Sequence, residues 1–245
     1  MTKKSWFSTW FDSPYYHILY EQRDEQEAAS FIQALQQKLH IQAGMHVLDA
    51  ACGKGRHAQT LHGLGLQVDA FDLSPTNIDF AQKSARPQLE FFVHDLRATL
   101  PKQAYYDVVF NFFTSFGYFD DRNDNQKAFD TFHGGLKKEG ILVMDFLNPS
   151  YVLANLVPEE CVQRKGISFF IKRWESQGYL YKSIEFSDKG QNYQFEEKVE
   201  LISKTDFIHY ATKAGFELID LKGNYQLAHF DEIHSPRMIF FWVKK

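Results

Sequence analysis

The sequence predicts an α/β fold: a seven-stranded, mostly parallel sheet with helices on both faces, a terminal antiparallel hairpin, and an antiparallel β insertion after the fifth strand. Three observations carry that prediction. From about residue 46 to 147, short apolar runs alternate with segments of three-to-four apolar spacing, the pattern of parallel strands joined by right-handed helical crossovers. Between about 150 and 202 the period changes to two, as in half-buried antiparallel strands. After residue 202 one helical segment and two more apolar strands complete the series.

Residues 24 to 39 read as a helix because Ala28, Phe31, Ile32, Leu35 and Leu39 recur at helical spacing. The run from His46 to Ala51 is short and ends in glycines, so it reads as a buried strand. A helix at 56 to 64, a strand from Gln67 to Asp72, a helix at 75 to 86 and a strand from Leu89 to Val93 follow. Ser74 suits the cap of that second crossover helix, Pro75 its first turn, and Pro87 lies beyond its end. The strand from Asp107 to Phe112, a helix at 125 to 136 and the strand from Ile141 to Leu147 continue the alternation.

In the insertion, strands are expected over Ser168 to Trp174, Tyr179 to Phe186 and Tyr193 to Leu201, with turns at Gly178 and at Asp188, Lys189 and Gly190. Asn148-Pro149-Ser150-Tyr151 reads as a turn leaving the sheet. A capping box of Ser203 and Asp206 opens a helix through Phe207, Tyr210, Ala211 and Ala214, and strands Phe216 to Leu221 and Met238 to Val243 follow. The whole of 1–245 is expected to be one domain, with 1–23 as an N-terminal cap segment and 150–202 as the insertion beside the active site.

Bulk properties narrow the function. With 44% hydrophobic and 16% aromatic residues the chain is globular. Its formal net charge of -4 supplies no basic footprint for a phosphate backbone, so nucleic acid is not the expected partner. No apolar run approaches the roughly 18 residues of a membrane span, and Asp12, Ser13 and Pro14 interrupt the N-terminal stretch before a signal-peptide run develops. Cys52 and Cys161 form no C-x-x-C pair, and histidines 17, 57, 94, 209, 229 and 234 show no ligand spacing, so a cytoplasmic location and no metal site are expected.

The chemistry concentrates in Val47-Leu48-Asp49-Ala50-Ala51-Cys52-Gly53-Lys54-Gly55-Arg56-His57-Ala58, a strand entering a glycine turn and a helix. Such a turn brings backbone N–H groups close to a ligand. Alone, Gly53-x-Gly55-x-x-Ala58 also passes as a dinucleotide fingerprint. Asp72 ends the second strand, where an acid holds ribose hydroxyls, and Asp95 follows the third. Three acids at consecutive strand ends outline one ligand across the sheet edge. A pyrophosphate would be opposed by Asp49, whereas a sulfonium ligand with an ammonium group meets no such conflict.

On these motifs the chain resembles the class I, Rossmann-like S-adenosylmethionine (AdoMet)-dependent methyltransferases, from about residue 40 to the C-terminus. The first family motif corresponds to Asp49 through Gly55 and the fourth to Asp107-Val108-Val109-Phe110-Asn111. The resemblance implies AdoMet as cofactor, S-adenosylhomocysteine as product, and a small-molecule acceptor. It places Gly53 and Gly55 near the methionine part, Asp72 on the ribose and Leu73 on the adenine face. Asp95, with Leu96 beside it, meets the adenine amine, and the backbone around Asn111 faces the methionine ammonium.

The N-terminal aromatics, including Tyr16 and Tyr20, serve either as core or homodimer contacts or as a lid over the cofactor, with Arg23 facing the methionine carboxylate. The acceptor is expected between the loop from Thr114 to Phe119 and the insertion. Tyr16, His94 and Tyr118 are the candidate bases, and none is singled out. The competing readings are a nicotinamide-dependent oxidoreductase and a non-catalytic AdoMet-binding regulator.

Overall fold

Two edges of a central sheet are built by different parts of the chain, and the cavity between its middle strands follows from that. The computed structural model describes residues 10–11, 13–20, 25–119 and 121–245. Arg23, assigned above to the cofactor carboxylate, lies outside the described residues. Helices α1 (Pro14–Leu19) and α2 (Glu25–Leu39) precede strand β1 (His46–Ala50). The crossovers then run α3 (Arg56–Gly63), β2 (Gln67–Asp72), α4 (Pro75–Ala81), β3 (Leu89–Val93), β4 (Tyr106–Asn111), α5 (Asn123–Gly135) and β5 (Leu136–Leu147). Helix α6 (Pro149–Ala154) leads into β6 (Glu159–Arg164), β7 (Ile167–Ser176), β8 (Tyr179–Asp188) and β9 (Gln191–Glu200). Helix α7 (Lys204–Ala214), β10 (Phe216–Lys222) and β11 (Arg237–Lys244) close the chain.

The seven-stranded sheet has the order β10-β11-β5-β4-β1-β2-β3. Strand β1 pairs in parallel with β2 from His46 opposite Gln67 to Ala50 opposite Phe71, and on its other side with β4. Strand β11 inserts antiparallel between β5 and β10, with Arg237 opposite Leu147. Neighbouring β1 residues point to opposite layers: Val47 packs with Phe31, Ile32 and Ala58, whereas Leu48 packs with Phe129, Phe132 and Trp242. Each fully buried aliphatic or phenyl side chain contributes about 1.5–3 kcal/mol, so this two-sided burial fixes the register of β1 and its loop.

Strands β6 to β9 form a separate four-stranded antiparallel sheet in chain order. Its apolar face, Ile167, Phe169, Ile171, Ile184 and Phe186, is covered by Trp10 and Leu19. The described part of the N-terminal segment is thus packed against the insertion.

Besides the helix Pro14–Leu19 and the earlier start of β5 at Leu136, three elements differ from the sequence reading for local reasons. The helix expected over 75–86 ends at Ala81 and continues as one tight turn, Gln82–Ser84. Pro87 steers the chain to extended backbone, and the Gln82 amide donates to the Phe91 carbonyl at 2.6 Å. The insertion gains a fourth strand, β6, whose Glu-Glu-Cys-Val-Gln-Arg sequence carries no apolar alternation because it lies at a sheet edge. The turn at Asn148 is the start of α6: Asn148 Oδ1 accepts from the Ser150 N–H at 3.2 Å, and its amide donates to the Glu232 and Ser235 carbonyls at 2.9 and 2.8 Å.

Candidate functional site

A cavity of about 1020 Å3 opens at the carboxyl ends of β1, β2, β3 and β4. It sits where the strand order reverses, β1 being flanked by β2 on one side and β4 on the other, the place where open α/β sheets bind ligands. Small-molecule sites occupy about 300–1,000 Å3, so this one lies at the upper end of that range.

Its floor is the turn after β1. Ala51 and Gly53 adopt positive φ values of 62° and 56°, and the Cys52 N–H donates to the Phe71 carbonyl at 2.8 Å. A Cβ on Gly53 would meet nothing within 4 Å, because the position faces the cavity. Gly55 does something else. A Cβ there would lie 2.5 Å from Phe91 Cε1, so Gly55 is needed for packing α3 onto β3 and is absent from the cavity wall.

The three strand-end acids all reach the cavity, each in a different state. Asp49 is 1% exposed, and its Oδ2 has no hydrogen-bond partner. Burial, reinforced by the neighbouring Asp72 charge, pushes its carboxyl up to about 7. Asp72 accepts from the Gly53 N–H at 2.8 Å through Oδ2 and from the Ser74 N–H at 2.9 Å through Oδ1, so it ties the β1 and β2 turns together. Asp95 is gripped by the Arg97 fork, Nε to Oδ1 at 2.9 Å and Nη2 to Oδ2 at 2.6 Å. Those bonds hold its carboxyl below the usual range.

Leu73 and Leu96 also line the cavity, and Leu73 is 41% exposed although apolar. Asn111 does not reach it. Enclosed between β1 and β5 at 0% exposure, its amide donates to the Ala50 carbonyl at 3.0 Å, and Phe112 and Phe113 take the wall instead.

The turn after β4 depends on residues the sequence reading missed. Phe113 and Thr114 both have φ of 58°, a conformation that costs a non-glycine residue about 1–2 kcal/mol. Asp145 compensates: its Oδ2 accepts from the Phe113 N–H at 2.9 Å and from the Tyr225 hydroxyl at 3.1 Å, and its carbonyl accepts from the Thr114 N–H at 2.9 Å. Arg237 donates to Asp145 Oδ1 at 2.7 Å and to Thr114 Oγ1 at 2.9 Å. The visible sequence signal is a lone acid inside the apolar run Ile141 to Leu147.

The remaining wall joins Phe11, Tyr16 and Tyr20 to Tyr118 of the post-β4 loop and to Glu197 of β9. Glu197 Oε1 accepts from the Trp10 indole and the Tyr20 hydroxyl, both at 2.6 Å. Nothing in the alternation of β9 singles Glu197 out. His94 lies edge-on to Phe71 at 5.1 Å, with Nε2 3.0 Å from the Ala98 carbonyl, an arrangement that fixes its ring as part of the wall.

An unpartnered, buried carboxylate oxygen beside an open glycine backbone fits a ligand carrying an ammonium group. Two acids at that floor repel a pyrophosphate.

Residues 47–140 match the family described as "Methyltransferase domain". Over 146 residues the chain is 31% identical to a Bacillus subtilis (strain 168) protein provisionally named methyltransferase YqeM, a match covering 58% of this chain and 55% of that protein. The matched stretch thus spans about half the length of that curated relative. An S-adenosylmethionine-dependent methyltransferase from Clostridium acetobutylicum ATCC 824 shares the fold with a TM-score of 0.79 at 16% identity, covering 94% of this chain and 96% of that one. The SAM-bound amino pentose methyltransferase CalS10 from Micromonospora echinaspora gives a TM-score of 0.72 at 16% identity, covering 95% and 98%. At such identities the likeness concerns the fold.

Proposed function

We propose that this chain is a class I AdoMet-dependent methyltransferase, which binds AdoMet in the cavity and transfers its methyl group to a small-molecule acceptor; the methyltransferase-domain match and the shared fold support the reading. The observation that carries the reading is the Asp49 carboxylate, buried at the cavity floor with Oδ2 unpartnered. An ammonium placed there would gain a charge-assisted bond in a site shielded from water. Asp72 would hold the ribose hydroxyls, and Leu73 and Leu96 would flank the adenine. Asp95, already oriented by Arg97, would accept from the adenine amine. Arg56 lines the same floor and would also face the methionine carboxylate.

AdoMet, when bound, supplies a methyl carbon made electrophilic by its sulfonium. The chain's own contribution is alignment and exclusion of water. The turn at Phe113 and Thr114 sets one wall, and the N-terminal aromatics packed on the insertion set another. These walls would hold an acceptor in line with that methyl carbon, with S-adenosylhomocysteine as the product. Tyr16 and Tyr118 stand on the acceptor side of the cavity wall as the groups able to receive a proton or orient the acceptor. Residues 150–202, through β9, shape acceptor choice.

Photocrosslinking with methyl-tritiated AdoMet tests the reading. Label is expected on the protein, displaced by S-adenosylhomocysteine and unaffected by NAD. Displacement by NAD instead would support the oxidoreductase reading.

A further inference from the structure

We infer that the acceptor is a small amine, which docks as its ammonium against Glu197 inside a box of aromatic rings; this rests on the methyl-transfer reading above. One end of the cavity is built by residues 11 and 16–20, the post-β4 loop and β9, and presents Phe11, Tyr16, His17, Tyr20, Tyr118 and Glu197. Among the described lining residues of that end, Glu197 is the carboxylate. The rings form a continuous set: Phe11 to Tyr16 at 5.1 Å, Phe11 to Tyr118 at 5.5 Å, and Tyr16 to Tyr20 at 4.8 Å between centroids.

Glu197 is held in place for this role. Two donors, the Trp10 indole and the Tyr20 hydroxyl, converge on Oε1 at 2.6 Å. The other oxygen, Oε2, lies 3.9 Å from Lys182 Nζ, beyond the about 2.7–2.9 Å of a charge-assisted hydrogen bond. Lys182 instead sits 4.5 Å from the Tyr20 ring centroid and bonds the Tyr20 hydroxyl. It is not part of the cavity wall, whereas Glu197 is. The anion of the pair therefore lies on the cavity wall, and its cation lies against Tyr20.

That surface selects by charge. Ring faces attract a cation through their quadrupole and offer an anion nothing, and a fixed carboxylate repels a carboxylate or phosphate acceptor. A neutral alcohol gains neither term. An ammonium gains both, and its nitrogen is the atom that must meet the methyl carbon. Transfer requires the amine first to give one proton to water. Its lone pair then forms the nitrogen–carbon bond as the carbon–sulfur bond breaks, its pair staying on sulfur.

The test titrates protein saturated with S-adenosylhomocysteine with benzylamine hydrochloride and with benzyl alcohol, a matched pair differing in charge. Benzylammonium is expected to bind about tenfold or more tightly. Glu197→Gln, which keeps an acceptor for Trp10 and Tyr20, is expected to reduce that preference to within about twofold while S-adenosylhomocysteine affinity holds. Tyr118→Leu, which touches none of the Glu197 bonds described, is expected to weaken benzylammonium about threefold. Equal binding of the two probes by the native protein, or a preference that survives Glu197→Gln, overturns the inference. Failure of S-adenosylhomocysteine itself to bind is a separate result and counts against the methyl-transfer reading.

Discussion

Arg237 and Asp145 meet as a buried pair, Nε to Oδ1 at 2.7 Å, with Asp145 itself completely buried. Because the same carboxylate receives the Phe113 N–H, the last strand of the fold holds the cavity wall in its left-handed turn. Arg237→Met leaves Asp145 charged and uncompensated, and removing one partner of a buried pair costs about 3–5 kcal/mol. Urea unfolding should report a loss near the lower end of that range, since Arg237 retains some exposure, together with weaker S-adenosylhomocysteine binding. A loss below about 1 kcal/mol, the size of an exposed pair, would show that the turn does not depend on it.

Asp49 predicts a pH dependence. Its carboxyl titrates at about 7 in the folded protein, above the ordinary range near about 4. The folded state therefore keeps a proton that the unfolded state releases, and this group's contribution to stability declines as pH rises from about 4 through about 7. Asp49→Asn should remove that decline in unfolding measured across the same window. A bound ammonium favours the ionised form, so affinity for S-adenosylhomocysteine should rise with pH between about 6 and 8 with proton release. A flat calorimetric profile would contradict the placement of the ammonium at Asp49.

Much of this was legible from the sequence because it is local. The floor turn and Asp72 follow short apolar runs buried on both faces, Asp95 follows an edge strand buried through Leu89 and Phe91, and that burial makes each run's end a fixed point on the sheet edge. Features made by distant pairing were not legible. Arg237 and Asp145 are 92 residues apart, and Glu197 reaches the cavity only because the insertion packs on Trp10 and Leu19. Asn111 and Gly55 were read from motif position alone, which cannot separate a residue facing the cavity from one packed in the layer behind it.

The two glycines of the floor turn should respond differently to alanine. At Gly55 the new Cβ would lie 2.5 Å from Phe91, and overpacking costs about 1–3 kcal/mol beyond the about 1–2 kcal/mol of a left-handed residue. Gly55→Ala should therefore lower the thermal midpoint markedly. Gly53→Ala has open space and pays only the backbone term, but its methyl projects into the cavity. Its main effect should be on S-adenosylhomocysteine affinity. Equal midpoints for the two variants would refute the division of roles.

The most direct measurement is calorimetric titration of the native protein and Asp72→Ala with S-adenosylhomocysteine and with NAD. Native protein should bind S-adenosylhomocysteine at one site and leave NAD unbound. Asp72→Ala loses charge-assisted bonds to ribose hydroxyls, each worth about 1.5–3 kcal/mol, so affinity should fall about tenfold or more with the fold intact by circular dichroism. Tight NAD binding by the native protein, or undiminished S-adenosylhomocysteine affinity in the folded variant, would contradict the assignment of this cavity to AdoMet.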